Sequence, residues 1–249
     1  QIKNGPSPCD TSYFEQIRAN FDLFSDPLIY TPGDNEWTDC HRANNGGYQP
    51  AGTTVPGAPV TTAGPSRLDE VRRLFFDRPG FTLGQKPRRV QSQAPAFPEN
   101  VRWSEPGVTA AVFNVPGSNN DLAPWFGAAE TDALKAVQAD EFARRNAANL
   151  RWLDATFVQA ILTRSRGVLL GLQADMWDPA IVSDPAGYSG FTRFVRRLAF
   201  WSKLYGRPVL LINGDSHLYE SDTPLADPAA GNNTIYGVTQ AVPNLRRVT

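Results

Sequence analysis

The sequence predicts an α/β fold in which helices cover strands that are buried on both faces. Two continuous apolar runs, at residues 167–172 and 208–212, have the length of strands and show no alternation of polar residues. A segment with apolar residues at helical spacing precedes each run. Helices that alternate with continuous apolar strands are typical of a layered α/β domain.

The remaining elements are predicted from helix caps, residue spacing and turn residues. Asp10 or Thr11 begins a first helix, and Ser66 followed by Asp69 has the pattern of a helix N-terminus. The predicted helices are 11–24, 66–75, 130–163 (as one helix or two) and 189–206. The predicted strands are 28–31, 101–104, 109–115, 167–172, 208–212 and 245–249. The 21 Pro and 20 Gly residues predict long loops, which we place at 43–66 and 77–100. The chain is interpreted as a single domain, 1–249.

The composition argues against several classes of protein. The 249 residues carry 24 Lys and Arg against 25 Asp and Glu, and a net charge of -1 gives no attraction for nucleic acid or an anionic membrane. No apolar run approaches the ~20 residues of a membrane-spanning helix. The chain begins at Gln1, and its single Met is Met176. We therefore expect a processed or trimmed product that lacks fold-completing residues at both ends.

Two cysteines, Cys9 and Cys40, lie in loops on either side of the first predicted helix and strand. They lack the CxxC spacing and the neighbouring histidine cluster of a zinc site. An even number of cysteines in a chain without its start suits a secreted protein with one disulfide. Two buried free thiols are the alternative, and the disulfide is favoured.

Polar clusters follow three of the predicted strands, at residues 34–36 (Asp-Asn-Glu), 173–175 (Gln-Ala-Asp) and 215–217 (Asp-Ser-His). Because ligands of open α/β sheets bind at the carboxyl ends of strands, the three clusters are expected to meet at one site. Together they offer the oxygen and nitrogen donors that hold divalent metals, on Asp34, Asp175, Asp215 and His217. The alternative is that each cluster is an ordinary turn at the end of a strand.

Two of these clusters resemble motifs of the calcineurin-like metallophosphoesterases. Residues 33–36, Gly-Asp-Asn-Glu, resemble that family's third motif, Gly-Asn-His-Asp/Glu after a strand. Asp34 stands at the position of the metal-binding Asn, Asn35 at the catalytic His and Glu36 at the acid. Residues 214–217, Gly-Asp-Ser-His, resemble the closing Gly-His-x-His, with Asp215 in place of the first His and His217 retained.

Further segments extend the resemblance along nearly the whole chain. Residues 149–153 resemble the helix that bears Trp-Leu, and Gln173 stands where a metal-binding His usually ends the next strand. Residues 2–5 resemble the tail of the second motif, Gly-Asp-x-x-Asp, so its bridging Asp and the first motif, Asp-x-His, are expected at or before the first residue. The run 32–42 is the most specific part and resembles a divergent secreted branch that carries both cysteines, which supports a pairing of Cys9 with Cys40.

The resemblance implies a metallophosphoesterase-like β-sandwich flanked by helices. It implies a secreted or periplasmic hydrolase of phosphoester or related phosphoanhydride bonds, with a small phosphorylated substrate and a divalent metal (Mg, Mn, Ca or Fe/Zn). The implied metal ligands are Asp34, Asp215 and His217, the catalytic residues Asn35 and His217, and the substrate-binding residues Asn119, Asn120 and Gln173. The replacement of three family histidines shifts the expectation towards Mg, Mn or Ca, or towards a site without metal.

Two other classes of function stay open. A catalytically silent member of the same fold would serve as an extracellular binding or structural module, with its long loops and the patch of Trp125 and Phe126 facing a protein partner. A flavodoxin-like binder of small molecules is disfavoured, because no Gly-rich phosphate loop precedes a helix.

Overall fold

The computed structural model describes residues 7–53, 55 and 65–249. In this part of the chain, seven strands form one mixed sheet in the order β1-β2-β3-β4-β5-β7-β6. The strands are β1 (Gln91–Gln93), β2 (Phe97–Glu105), β3 (Val108–Val112), β4 (Gly167–Gly171), β5 (Val209–Ile212), β6 (Ser221–Asp222) and β7 (Leu245–Val248). Strands β3, β4, β5 and β7 are parallel, whereas the pairs β1–β2, β2–β3 and β6–β7 are antiparallel.

The helical segments are α1 (Thr11–Asp22), α2 (Arg67–Phe75), α3 (Gly117–Asp121), α4 (Asp132–Leu162), α5 (Pro185–Tyr188), α6 (Thr192–Tyr205) and α7 (Gly231–Tyr236). The predicted segment 130–163 is thus one helix, and the Thr131 hydroxyl caps it by accepting from the Leu134 N–H over 3.3 Å. Helix α6 begins three residues after Ser189, because Ser189–Phe191 forms a 3-10 turn. It ends at Gly206, whose φ of 66° is left-handed.

The main core lies between the parallel strands and the long helices. Leu170 of β4 and Leu211 of β5 are fully buried in one cluster with Phe157 of α4 and Phe194 of α6. Burial of each such side chain contributes roughly 1.5–3 kcal/mol. This packing fixes the parallel strands in register and so fixes where their carboxyl ends lie.

A second, smaller core surrounds the disulfide. Cys9 and Cys40 are bonded, with their Cα atoms 5.8 Å apart, so the disulfide is confirmed. Phe14 of α1 and Phe75 of α2 pack in the same buried cluster. The disulfide therefore joins the start of α1 to the 3-10 turn Thr38–His41, which follows the polar residues 34–36.

Two sequence expectations about the fold need correction. Residues 28–31 do not form a strand of the sheet, since in the described residues Leu28 makes only an isolated bridge to Leu83. The predicted loop 77–100 contains β1 and the start of β2, because these two segments pair with each other as a hairpin. Part of the predicted loop 43–66, and the motif at residues 2–5, lie outside the described residues.

The expectation of an α/β fold is confirmed at the level of its class. The described residues form one sheet, rather than the two packed sheets of a β-sandwich. Within the described part of the chain, every helix is too short or too polar to span a membrane.

Candidate functional site

Asp34, Gln173 and Asp215 lie together beyond the carboxyl ends of the parallel strands, as predicted from the sequence. Gln173 follows the carboxyl end of β4, and Asp215 follows the carboxyl end of β5. Because β4 and β5 are parallel neighbours, these two residues lie close together. Asp34 begins the 3-10 turn Asp34–Glu36, whose Gly33 N–H donates to the Glu36 carboxylate over 2.6 Å. We refer to Asp34 and Asp215 as the carboxylate pair.

The amide of Gln173 links the two carboxylates. Its Oε1 accepts from the backbone N–H groups of Asp34 (3.3 Å) and Gly117 (2.6 Å). These two donors fix the amide so that Nε2 faces the carboxylates, and it donates to Asp34 Oδ1 (3.1 Å) and Asp215 Oδ1 (2.8 Å). The second oxygen of each carboxylate, Oδ2, lies close to Gly117.

Gly117 is a glycine because the carboxylate pair occupies the space that a side chain would need. A Cβ on residue 117 would stand 2.6 Å from Asp34 Oδ2 and 2.4 Å from Asp215 Oδ2. Both distances are well below van der Waals contact. The two Oδ2 atoms therefore converge on the same small space above the Gly117 backbone.

The four residues after Gly117, residues 118–121, all have positive φ and form a left-handed turn. Ser118, Asn119 and Asn120 have φ angles of 51°, 56° and 56°. Side-chain hydrogen bonds hold this conformation: Asn119 Oδ1 accepts from the Gly190 N–H (2.7 Å), and Asn120 Nδ2 donates to the Gly190 carbonyl (3.0 Å). Left-handed backbone is unfavourable for residues other than glycine, so these contacts maintain the turn at the site.

The carboxylate pair is largely buried and stands close to other acidic side chains. Burial, together with the charges of Asp215, Asp39 and Glu36, raises the pKa of Asp34 to about 8. Burial also raises the pKa of Asp215 to about 6, and the hydrogen bond from Gln173 opposes this rise. A divalent cation would remove the cost of holding both groups ionised so close together.

Asp39 and Ser118 adjoin the carboxylate pair, and neither was predicted from the sequence as a site residue. The Ser118 hydroxyl donates to Asp39 Oδ1 (2.8 Å), and Arg42 forms an ion pair with Asp39 Oδ2 (2.9 Å). These contacts join the left-handed turn to the 3-10 turn Thr38–His41. The polar run 117–121, which follows Pro116 in the segment after β3, is the sequence signal that could have indicated this contact.

Of the other predicted site residues, Asn35 contacts the carboxylate pair, whereas Asn119, Asn120 and His217 form no hydrogen bond to it among the described residues. The Asn35 N–H donates to Asp34 Oδ1 over 2.8 Å. Asn119 and Asn120 are buried, with their side chains bonded to the chain around Gly190. His217 lies on an exposed turn with a φ of 59°, and among the described residues no hydrogen bond or ion pair joins it to either carboxylate.

The prediction that Asp175 is a metal donor needs correction. Its carboxylate is fully buried and forms an ion pair with Arg247 of β7, at 2.7 Å. Arg247 also pairs with Asp222 of β6, at 2.9 Å. Asp175 therefore ties the end of β4 to the edge of the sheet.

The donor set of the pair fits one class of metal ion. Among the described residues no group of three or more His, Cys, Asp and Glu side chains is arranged to hold a metal. Mg²⁺ keeps several waters and is commonly bound through one or two carboxylates and substrate phosphates, which suits the converging Oδ2 atoms. Zn²⁺ prefers Cys and His ligands and does not suit this donor set.

Comparison of the chain with protein-family models, with curated proteins and with solved structures returns no match.

Proposed function

We propose that the chain hydrolyses phosphoester or related phosphoanhydride bonds of small substrates, with a Mg²⁺-type cation held by Asp34 and Asp215. The observation that carries this proposal is the convergence of Asp34 Oδ2 and Asp215 Oδ2 on the space above Gly117. Such a cation would act as a Lewis acid towards a phosphoryl oxygen and lower the pKa of a bound water.

The residues around the pair have distinct roles in this proposal. Gln173 orients both carboxylates through its Nε2, and the missing side chain of Gly117 lets the two Oδ2 atoms approach each other. Asn35, directly after Asp34, is proposed to bind a phosphoryl oxygen, and His217 on its exposed turn to protonate the leaving group. Asn119 and Asn120 shape the turn that bears Gly117.

The fold family and location belong to the same proposal. The resemblance of residues 33–36 and 214–217 to metallophosphoesterase motifs supports kinship with that family, although the described residues form one sheet rather than its sandwich. The Cys9–Cys40 disulfide supports a secreted or periplasmic protein, because disulfides persist in oxidising compartments.

One observation favours the alternative of a silent module on the same fold. Gln173 Nε2 already donates to Oδ1 of both carboxylates, as an amide does when it replaces a cation in a paired site. If these bonds and bound protons satisfy the pair, the site needs no metal. The long loops would then serve a protein partner.

Metal binding and hydrolysis distinguish the two. Mn²⁺ binding would be measured by equilibrium dialysis, and hydrolysis with bis(p-nitrophenyl) phosphate and p-nitrophenyl phosphate. We expect one Mn²⁺ per chain, and loss of binding and hydrolysis in Asp34→Asn and Asp215→Asn. Asp132→Asn is the matched control, because Asp132 is fully exposed at the start of α4. Absence of Mn²⁺ binding by the wild type, or unchanged binding in both site variants, would reject the hydrolase in favour of the silent module.

A further inference from the structure

A cavity of about 780 Å³ lies at the β1–β2 edge of the sheet. The last residues of β2 line it, and Glu105 there pairs opposite Val108 at the amino end of β3. The carboxylate pair lies beyond the carboxyl ends of the parallel strands, so the cavity is a separate site. Its volume falls within the roughly 300–1,000 Å³ of pockets that bind small organic molecules.

The charges of this cavity are not balanced. Its lining contains three arginines, Arg88, Arg89 and Arg102, and one carboxylate, Glu105. Arg88 forms an ion pair with Glu105 at 2.8 Å. Arg89 and Arg102 have no ion pair within the part of the chain that the structure describes. In a chain with a net charge of -1, this cavity is thus a local concentration of positive charge.

Arg102 is held in position without a carboxylate. Its Nε donates to Gln91 Oε1 over 2.9 Å, and its guanidinium carbon lies 4.5 Å from the ring centre of Trp152. Burial lowers the pKa of Arg102. A guanidinium that is fixed and partly buried without a counter-ion can bind an anion at a small cost in side-chain entropy.

Aromatic surface lies beside these arginines. Phe81 and Trp103 both line the cavity, and Phe81 is 36% exposed. The guanidinium carbon of Arg89 lies 5.6 Å from the ring centre of Phe81. Aromatic rings next to unpaired guanidinium groups are suited to a flat, aromatic and negatively charged ligand.

We infer that this cavity binds a small planar aromatic anion. Arg89 and Arg102 bind its acidic group, and Phe81 and Trp103 contact its ring. The inference stands independently of the proposed hydrolysis at the carboxylate pair.

The test is a calorimetric titration with 2-naphthalenesulfonate, which has no phosphoester bond to hydrolyse. The neutral 2-naphthalenesulfonamide and the small anion methanesulfonate separate the contributions of charge and ring. We expect binding of the sulfonate alone at micromolar to low millimolar concentration, weakened about tenfold in each of Arg89→Gln and Arg102→Gln. Arg151→Gln, at an exposed position of α4 outside the cavity, is the control and should bind as the wild type does.

Arg89 is exposed, so its substitution tests the inference without disturbing the core. Thermal unfolding of Arg102→Gln checks that this variant folds. The inference is overturned if the sulfonate does not bind, if the sulfonamide or methanesulfonate binds equally well, or if Arg89→Gln binds like the wild type.

Discussion

The guanidinium of Arg145 donates to the backbone carbonyl of Asn120 over 3.0 Å, within the left-handed turn that follows Gly117. Arg145 is fully buried and also donates to both oxygens of Glu141, at 2.8 Å and 3.0 Å. One buried ion pair on α4 thus holds the turn that follows Gly117, the residue that faces the carboxylate pair.

Replacing Arg145 by Met should destabilise the protein strongly. Glu141 would remain buried without its partner, a loss of about 3–5 kcal/mol in the free energy of unfolding. The turn would also lose a donor, so Mn²⁺ affinity should fall in the folded variant. Urea unfolding and metal titration measure the two effects. Arg144→Met is the control. Arg144 forms an ion pair with Asp140 in which both side chains are more than half exposed, so its loss should cost less than ~1 kcal/mol. Equal losses in both variants would contradict the role of Arg145.

Gly117→Ala tests the close approach at the site. The added Cβ would press against both carboxylates, so we expect a loss of about 1–3 kcal/mol in stability and a marked loss of Mn²⁺ binding. The matched control is Gly231→Ala at the start of α7, where a Cβ would meet no atom within 4 Å. The control should leave stability within about 1 kcal/mol of the wild type or improve it, since alanine favours helix. A Gly117→Ala variant that binds Mn²⁺ normally would show that the space above residue 117 is not used.

The sequence predicted the parts of the site that depend on regular structure. Strands β4 and β5 are continuous apolar segments, and a buried parallel pair brings residues after its carboxyl ends together. The convergence of Gln173 and Asp215 follows from that pattern. The meeting with Asp34 depended on residues 28–31 lying near these strands, although those residues do not pair within the sheet.

The parts that could not be predicted depend on contacts between distant residues. The four consecutive residues with positive φ, 118–121, could not be predicted in that conformation from the sequence, because Arg145 and Gly190 stabilise the turn through tertiary hydrogen bonds. The role of Asp175 could not be predicted either, because its ion-pair partner Arg247 lies on β7, two strands away from β4 in the sheet. A polar residue after a strand has the same sequence signature whether it forms an ion pair or lines a site.

Removal of the disulfide should lower stability by about 3–4 kcal/mol in the chain-entropy model, because Cys9 and Cys40 close a loop with a sequence separation of 31. The double variant Cys9→Ala/Cys40→Ala avoids placing a polar serine in a fully buried position. Urea unfolding with and without reductant measures the effect: reductant should lower the stability of the wild type and leave the double variant unchanged. A difference between the two proteins below ~1 kcal/mol would contradict this estimate.

The pKa of Asp34 predicts how stability depends on pH in the absence of metal. The folded protein keeps the Asp34 proton up to about pH 8, whereas the unfolded chain releases it near the ordinary value of 3.8. Between these two values the folded state binds more protons, so the free energy of unfolding should fall as the pH rises, by at most about 1.4 kcal/mol per pH unit.

Asp34→Asn removes this titration and keeps an oxygen that can accept from Gln173 and Asn35. In EDTA, we expect the variant to match the wild type near pH 4 and to be more stable by a few kcal/mol at pH 8. Excess Mg²⁺ at pH 8 should stabilise the wild type and leave the variant unchanged, because the cation balances the ionised pair. Chemical unfolding at a series of pH values measures both effects, and Asp132→Asn, at an exposed carboxylate, should follow the wild type throughout. A wild-type stability that stays constant from pH 4 to pH 8 in EDTA would show that Asp34 ionises at its ordinary pKa.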